Sequence, residues 1–159
     1  PYQKKRILVF LGTGDTQKEG YHIKQSKIAI GSGQLTGKGF MQGTQNKLMF
    51  LPESRTDFIF SVFCEEMGFL GALVLMLSYM FLVMRLLYRI EKIPIFFARL
   101  LSLGLLTSFA LSIIINIAMV CDYAPVVGIP LPLMSYGVTS LWITLASLGW
   151  IQGILMRTF

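Results

Sequence analysis

"MGFLGALVLMLSYMFLVM", residues 67–84, holds no charged side chain in eighteen positions. A helix rises 1.5 Å per residue and the hydrocarbon core of a bilayer is about 30 Å thick, so about 20 apolar residues cross it. Two further runs reach that length. Residues 100–121 are uncharged for twenty-two positions and residues 123–156 for thirty-four. A chain of 159 residues has too little interior to hide three such helices in a soluble core. The expected fold is all-α, a polytopic transmembrane helical bundle, with spans near 59–87, 97–120 and 135–156.

Composition agrees. Hydrophobic residues make up 54% of the chain and charged residues 14%, against about 25% charged in soluble domains. The charges are unevenly placed. Residues 1–57 carry nine Lys or Arg and four Asp or Glu, whereas residues 58–159 carry five and four. A basic, polar first third thus precedes an apolar remainder, which points to an anionic partner at a membrane and to no nucleic acid. The expected organisation is an extracytoplasmic basic loop with short amphipathic segments over 1–57, then three spans over 58–159. The chain begins Pro1-Tyr2-Gln3 without a Met, so it reads as a piece of a longer protein. Cys64 and Cys121 fit no metal spacing or disulfide framework and read as small apolar side chains.

Orientation rests on "RLLYRIEKIPIFFAR", residues 85–99, where Arg85, Arg89, Lys92 and Arg99 face one acid, Glu91. Short loops this basic stay in the cytoplasm. The first span then runs inward, the second returns, and residues 1–57 lie outside. Within that outer part, "YHIKQSKIAI" (21–30) reads as a short interfacial helix with its Lys residues toward headgroups. "GSGQLTGKGFMQGTQ" (31–45) reads as loop. A Walker loop is excluded, because Ser32 stands where its first Gly belongs and Gly39 where Ser or Thr must follow Lys38. Two readings of the stretch remain: a loop whose N–H groups and Lys38 cradle a phosphate, or a flexible surface loop. "CDYAPVVGIPLPLMSYG" (121–137) holds three prolines and cannot be a regular helix. It is expected to pack against protein beside a cavity, or to form a simple outer turn.

Asp57 opens the first span, in "LPESRTDFIF" (51–60), behind Glu53 and Arg55. It reads equally as a helix cap, for which Asp is favoured, and as a reactive carboxylate at the membrane lip. Glu65 and Glu66 lie inside the apolar run, where an ionisable group costs about 2.5–3.5 kcal/mol unless it faces protein. Both are expected to tie neighbouring helices or line a cavity. Asn116 is expected to make an interhelical hydrogen bond, and Asp122 to be solvated at a helix end.

"YHIKQSKIAIGSGQLTGKGFMQGTQNKLMFLPESRTDFIFSVFCEEMGFLG" (21–71) with "PVVGIPLPLMSYG" (125–137) resembles the SEDS proteins, the membrane peptidoglycan polymerases RodA and FtsW. "GTQ" (43–45), "FLPE" (50–53) and "PVVGIPLPL" (125–133) stand closer to RodA. The resemblance covers nearly the whole chain. It implies a bundle of about ten helices, of which this chain would supply the large outer loop and the last three. It implies polymerisation of lipid II with release of undecaprenyl diphosphate, during cell elongation and shape maintenance, in the bacterial inner membrane. The implied partners are a class B penicillin-binding protein and other membrane proteins of the elongation complex. The essential carboxylate of the family falls on Asp57, within "TDFIF". "SYGVTS" (135–140) departs from the family's "SYGGSS" by Val138, which adds bulk near a turn.

That chemistry needs a base for a sugar hydroxyl and cations for a departing diphosphate. A positioned carboxylate contributes typically 10²–10⁴-fold. Asp57 is therefore the expected catalytic residue, with Lys38, Lys47, Arg55, Glu65 and Glu66 as expected substrate-binding residues. No cofactor is required by these residues, and a divalent cation, Mg or Mn, beside the diphosphate is left open. Two other readings use the same surface. A lipid II flippase needs the basic loop but no base, and a non-catalytic scaffold needs neither.

Overall fold

The computed structural model describes residues 19–43 and 56–158. Lys47 and Arg55 lie outside the described residues. Four helices appear: α1 (Glu19–Ser32), α2 (Ile59–Glu91), α3 (Phe96–Val120) and α4 (Val138–Thr158). No strand occurs among the described residues. The all-α expectation holds, and α2, α3 and α4 are each long and apolar enough to cross a membrane. The chain is a multi-pass membrane protein.

α2 departs from the expected single rod. At 33 residues a straight helix would be about 50 Å long, well beyond the hydrocarbon thickness. The chain resolves the mismatch at Gly68, whose φ of 67° and ψ of −168° break the helix. Residues 69–91 form the span. Contacts on either side of the break show a reversal. Before it, the Asp57 carbonyl meets Asn116, and Ser61 is linked through Ser26 to the Val120 carbonyl, so the chain advances alongside the end of α3 in the same sense. After it, Tyr79 packs on Phe109 with ring centroids 6.4 Å apart, antiparallel to α3.

α3 is the centre of the bundle. About a third of its most apolar window is buried by the protein itself, 33% against 11% for α2 and α4. Its Phe109 and Ile113 join Phe58, Phe60, Tyr79 and Leu131 in one cluster. Leu106 joins Ile90, Ile93, Ile151 and Leu155 in a second, at the other end. The faces of α2 and α4 that carry Phe81, Trp142 and Trp150 remain exposed, as lipid-facing or bundle-facing sides require.

α1 docks by a narrow stripe. Ile23, Ser26 and Ala29 are buried while Lys24, Lys27 and Ile28 are exposed. The Ser26 hydroxyl donates to the Val120 carbonyl at 2.8 Å. A hydroxyl has one hydrogen, so Ser61 is the donor in the 2.7 Å Ser26–Ser61 contact. Lys27 pairs with Asp122. Asp122 is therefore not simply solvated. It occupies a left-handed C′ position (φ 65°) at the end of α3, where Asp122 N–H reaches Met119 O and Tyr123 N–H reaches Ala118 O. That double bond pattern closes helix ends through the left-handed region.

Candidate functional site

The described part of the glycine-rich stretch, 31–43, is not a free loop. It fills the break in α2. In an unbroken helix the Glu65 and Glu66 carbonyls would accept from the Phe69 and Leu70 amides. Instead, Lys38 N–H donates to Glu65 O and Gly39 N–H to Glu66 O, each at 3.0 Å. Phe69 N–H reaches Gln34 O at 2.9 Å and Leu70 N–H reaches Leu35 O at 3.1 Å. Four backbone groups freed by the break are thus satisfied by residues 34–39, as buried backbone requires. The same exchange commits the Lys38 and Gly39 N–H groups to the helix. The approach is close enough to require glycine on both sides. A Cβ on Gly68 would stand 2.3 Å from Gly37 N, and one on Gly37 would stand 2.1 Å from Glu66 O. Both glycines have positive φ.

Side chains complete the junction. Lys38 Nζ donates to Glu65 Oε1 at 2.6 Å. The Glu65 side chain is fully buried and that of Lys38 is 30% exposed. Glu65 is a tie, as expected, and its partners include the loop lysine and, at 3.5 Å, the Ser32 hydroxyl of α1. Glu66, half-buried, lies against Gly43. Lys38 and Glu65 are thus brought together.

Asp57 sits at the other end of the short segment, in a clamp made by backbone carbonyls. Asn116 Nδ2 donates to Asp57 O at 3.0 Å and to Ile129 O at 2.7 Å. Ser135 Oγ donates to Thr56 O at 2.7 Å and accepts from Leu131 N–H at 2.7 Å. Phe58, 2% exposed, anchors the next residue in the core. Asn116 therefore ties two loops to α3 instead of bonding another helix. The helix cap position falls on Phe58, which makes no side-chain cap hydrogen bond, so Asp57 stands one residue before the cap, which was one of the two roles read for it. Its side chain is half-buried.

The proline segment forms the wall of this clamp. Tyr79 Oη donates to Pro132 O at 2.6 Å, and Leu131 is 1% exposed. Because Tyr79 is ten residues below Phe69 in the span, the segment dips into the bundle and is no simple outer turn. Val138 is the first residue of α4 and is 66% exposed, so its bulk points away from the turn. Cys64 is buried and Cys121 part-buried, both free thiols. Among the described residues, no three of His, Cys, Asp and Glu converge on a point that could hold a metal ion.

Sequence reasoning missed Ser135 and Ser26. Ser135 carried a signal, since it opens "SYG", but a serine's acceptor cannot be read from its neighbours in sequence.

A family model described as "Cell cycle protein" (FtsW, RodA, SpoVE) matches residues 1–158. The chain belongs to the FtsW/RodA/SpoVE family. It is 46% identical over 154 residues to the peptidoglycan glycosyltransferase MrdB of Escherichia coli K12, covering 96% of this chain and 42% of that protein. It is 38% identical over 158 residues to the peptidoglycan glycosyltransferase RodA of Treponema pallidum, covering 99% and 36%. A probable peptidoglycan glycosyltransferase FtsW of Trichlorobacter lovleyi matches at 41% over 149 residues, covering 93% and 39%. A solved structure described as a peptidoglycan synthase complex that coordinates polymerization and crosslinking matches the whole chain with TM-score 0.76 and 28% identity, over 43% of its own chain. The chain thus spans less than half the length of these family members.

Proposed function

We propose that this chain is the site-bearing part of a peptidoglycan glycosyltransferase that polymerises lipid II, with Asp57 as general base. The observation that carries the reading is the clamp. Two carbonyl hydrogen bonds and the buried Phe58 hold the backbone of residues 56–58, while the Asp57 side chain stays half-buried. Reaction geometry tolerates little displacement, and a base held this way loses little freedom in the transition state. The relatives' names supply the reaction class.

In the proposed step the Asp57 carboxylate takes the proton of the acceptor sugar C4 hydroxyl. That oxygen attacks the anomeric carbon of the donor sugar. The new C–O bond forms as the bond from the anomeric carbon to the lipid diphosphate breaks, and undecaprenyl diphosphate leaves with the electron pair. The departing anion calls for cations, and Lys47 and Arg55 are proposed for it together with Lys38. Lys38 is already paired with Glu65, so its main proposed duty is to hold the loop against α2, with Glu65 and Glu66 shaping the wall. A class B penicillin-binding protein, the elongation complex and the bacterial inner membrane complete the proposal.

Asp57→Asn tests it. The substitution keeps size and leaves the backbone clamp intact, but removes the base. Glycan-chain synthesis from purified lipid II by the full-length protein with its partner should fall by about 10²–10⁴-fold, with membrane insertion and partner binding retained. An inserted Asp57→Asn enzyme of near-normal rate would leave the flippase or scaffold reading in its place.

A further inference from the structure

At the end of the bundle opposite the clamp, a cavity of 530 Å³ opens between α2 and α4. Arg85, Tyr88, Arg89 and Lys92 form one wall, and Gln152 and Met156 stand on the other. The three cations sit at i, i+4 and i+7 of one helix and so share a face. Lys92 Nζ lies 4.2 Å from the centroid of the Tyr88 ring, which holds it over the aromatic face. The ion pairs among the described residues are Lys27–Asp122 and Lys38–Glu65, and none of these three cations takes part in either. Glu91, the adjacent acid, lines a separate recess with Phe96 and Arg99.

The same face changes character one turn deeper. Phe81, four residues before Arg85, is 66% exposed, and Val74, seven residues before Phe81, is 65% exposed. An apolar strip thus runs from the depth of the hydrocarbon into a cationic cavity at the helix ends. A soluble anion would use only the cations. A phospholipid would use both parts, and basic pockets between spanning helices on the cytoplasmic side suit anionic headgroups.

We propose that this cavity binds the phosphate headgroup of an anionic phospholipid, with an acyl chain along Phe81 and Val74. The site is separate from the Asp57 clamp and does not depend on the polymerase reading. Native mass spectrometry of the full-length protein, titrated with phosphatidylglycerol or phosphatidylcholine, tests it. The wild type should retain phosphatidylglycerol preferentially. The triple variant R85Q/R89Q/K92Q should bind it roughly a hundredfold more weakly. Gln152→Glu keeps every cation, and so the loop's positive charge, but places a carboxylate in the cavity. It should weaken binding by roughly fivefold. Arg99→Gln, outside the cavity, should change nothing, and glycerol phosphate at matched concentration should not displace the lipid. The proposal is overturned by a wild type without preference, by Gln152→Glu binding as well as wild type, or by an equal loss in Arg99→Gln. Displacement by glycerol phosphate would also overturn it, in favour of a soluble phosphate ligand.

Discussion

Through Asn116, α3 grips the backbone of Asp57 and the proline segment together. Both amide hydrogens are committed to carbonyls. Its Oδ1 is buried without a hydrogen-bond partner among the described residues, so the side chain is there for its donors. Asn116→Leu preserves volume and takes one donor from each of the Asp57 and Ile129 carbonyls, at about 1–3 kcal/mol each. The expected outcome is a lower Tm and a kcat reduced by roughly tenfold or more, with KM little changed, because a base that drifts by about 1 Å loses rate before it loses substrate. Ser135→Ala should act in the same direction and more weakly, since one carbonyl is released. Full activity in Asn116→Leu would mean that the clamp does not position Asp57. Lys38 and Glu65 make a second residue-scale test. Lys38→Met takes the lysine away from a fully buried carboxylate, which is destabilising, whereas Lys38→Met with Glu65→Leu removes that charge as well. Thermal unfolding should show the double variant as more stable than Lys38→Met alone.

An element fails to be what its periodicity suggests where another element can satisfy its backbone better. Residues 59–91 are helical on both sides of Gly68, yet the loop 34–39 supplies the four hydrogen bonds that the break removes. Gly68→Ala brings a Cβ to within 2.3 Å of Gly37 N and asks a residue with a side chain to hold φ 67°, a strain of about 1–3 kcal/mol. The variant should straighten α2 and release the loop. Hydrogen exchange at the Lys38 and Gly39 amides reads this directly: both should be protected in the wild type and exchange as loop amides in Gly68→Ala. Unchanged protection would show that the loop docks without the break.

At the scale of the molecule, three spans share one central helix and leave broad apolar faces open. The proposed orientation rests on the turn between α2 and α3, where Arg89, Lys92 and Arg99 crowd a short connection, a pattern that favours the cytoplasmic side. On that proposal α1 and the Asp57 clamp lie toward the outside. Lys24 and Lys92 are both exposed, so single-cysteine variants at these positions can be compared without disturbing a buried pair. In intact cells an impermeant thiol reagent should label position 24 and spare position 92. The reverse pattern would invert the topology and move the proposed lipid site to the outer leaflet.

How much of this was legible before folding depends on the range of the forces involved. Span number, approximate bounds and the basic turn follow from composition over windows of about 20 residues, because transfer into a bilayer is set by each segment's own apolarity. The family motifs also singled out Asp57 and "SYG". Nothing local, however, distinguishes Gly68 from Gly71 three residues later, and only Gly68 breaks the helix. Likewise no local pattern joins Lys38 to Glu65, Lys27 to Asp122, or Ser135 to Thr56. Each is a contact across at least 27 positions, made because a buried polar group must find a partner wherever the fold brings one. The tertiary structure alone turned a glycine-rich loop into the missing turn of a helix, and an asparagine within a span into the clamp on Asp57.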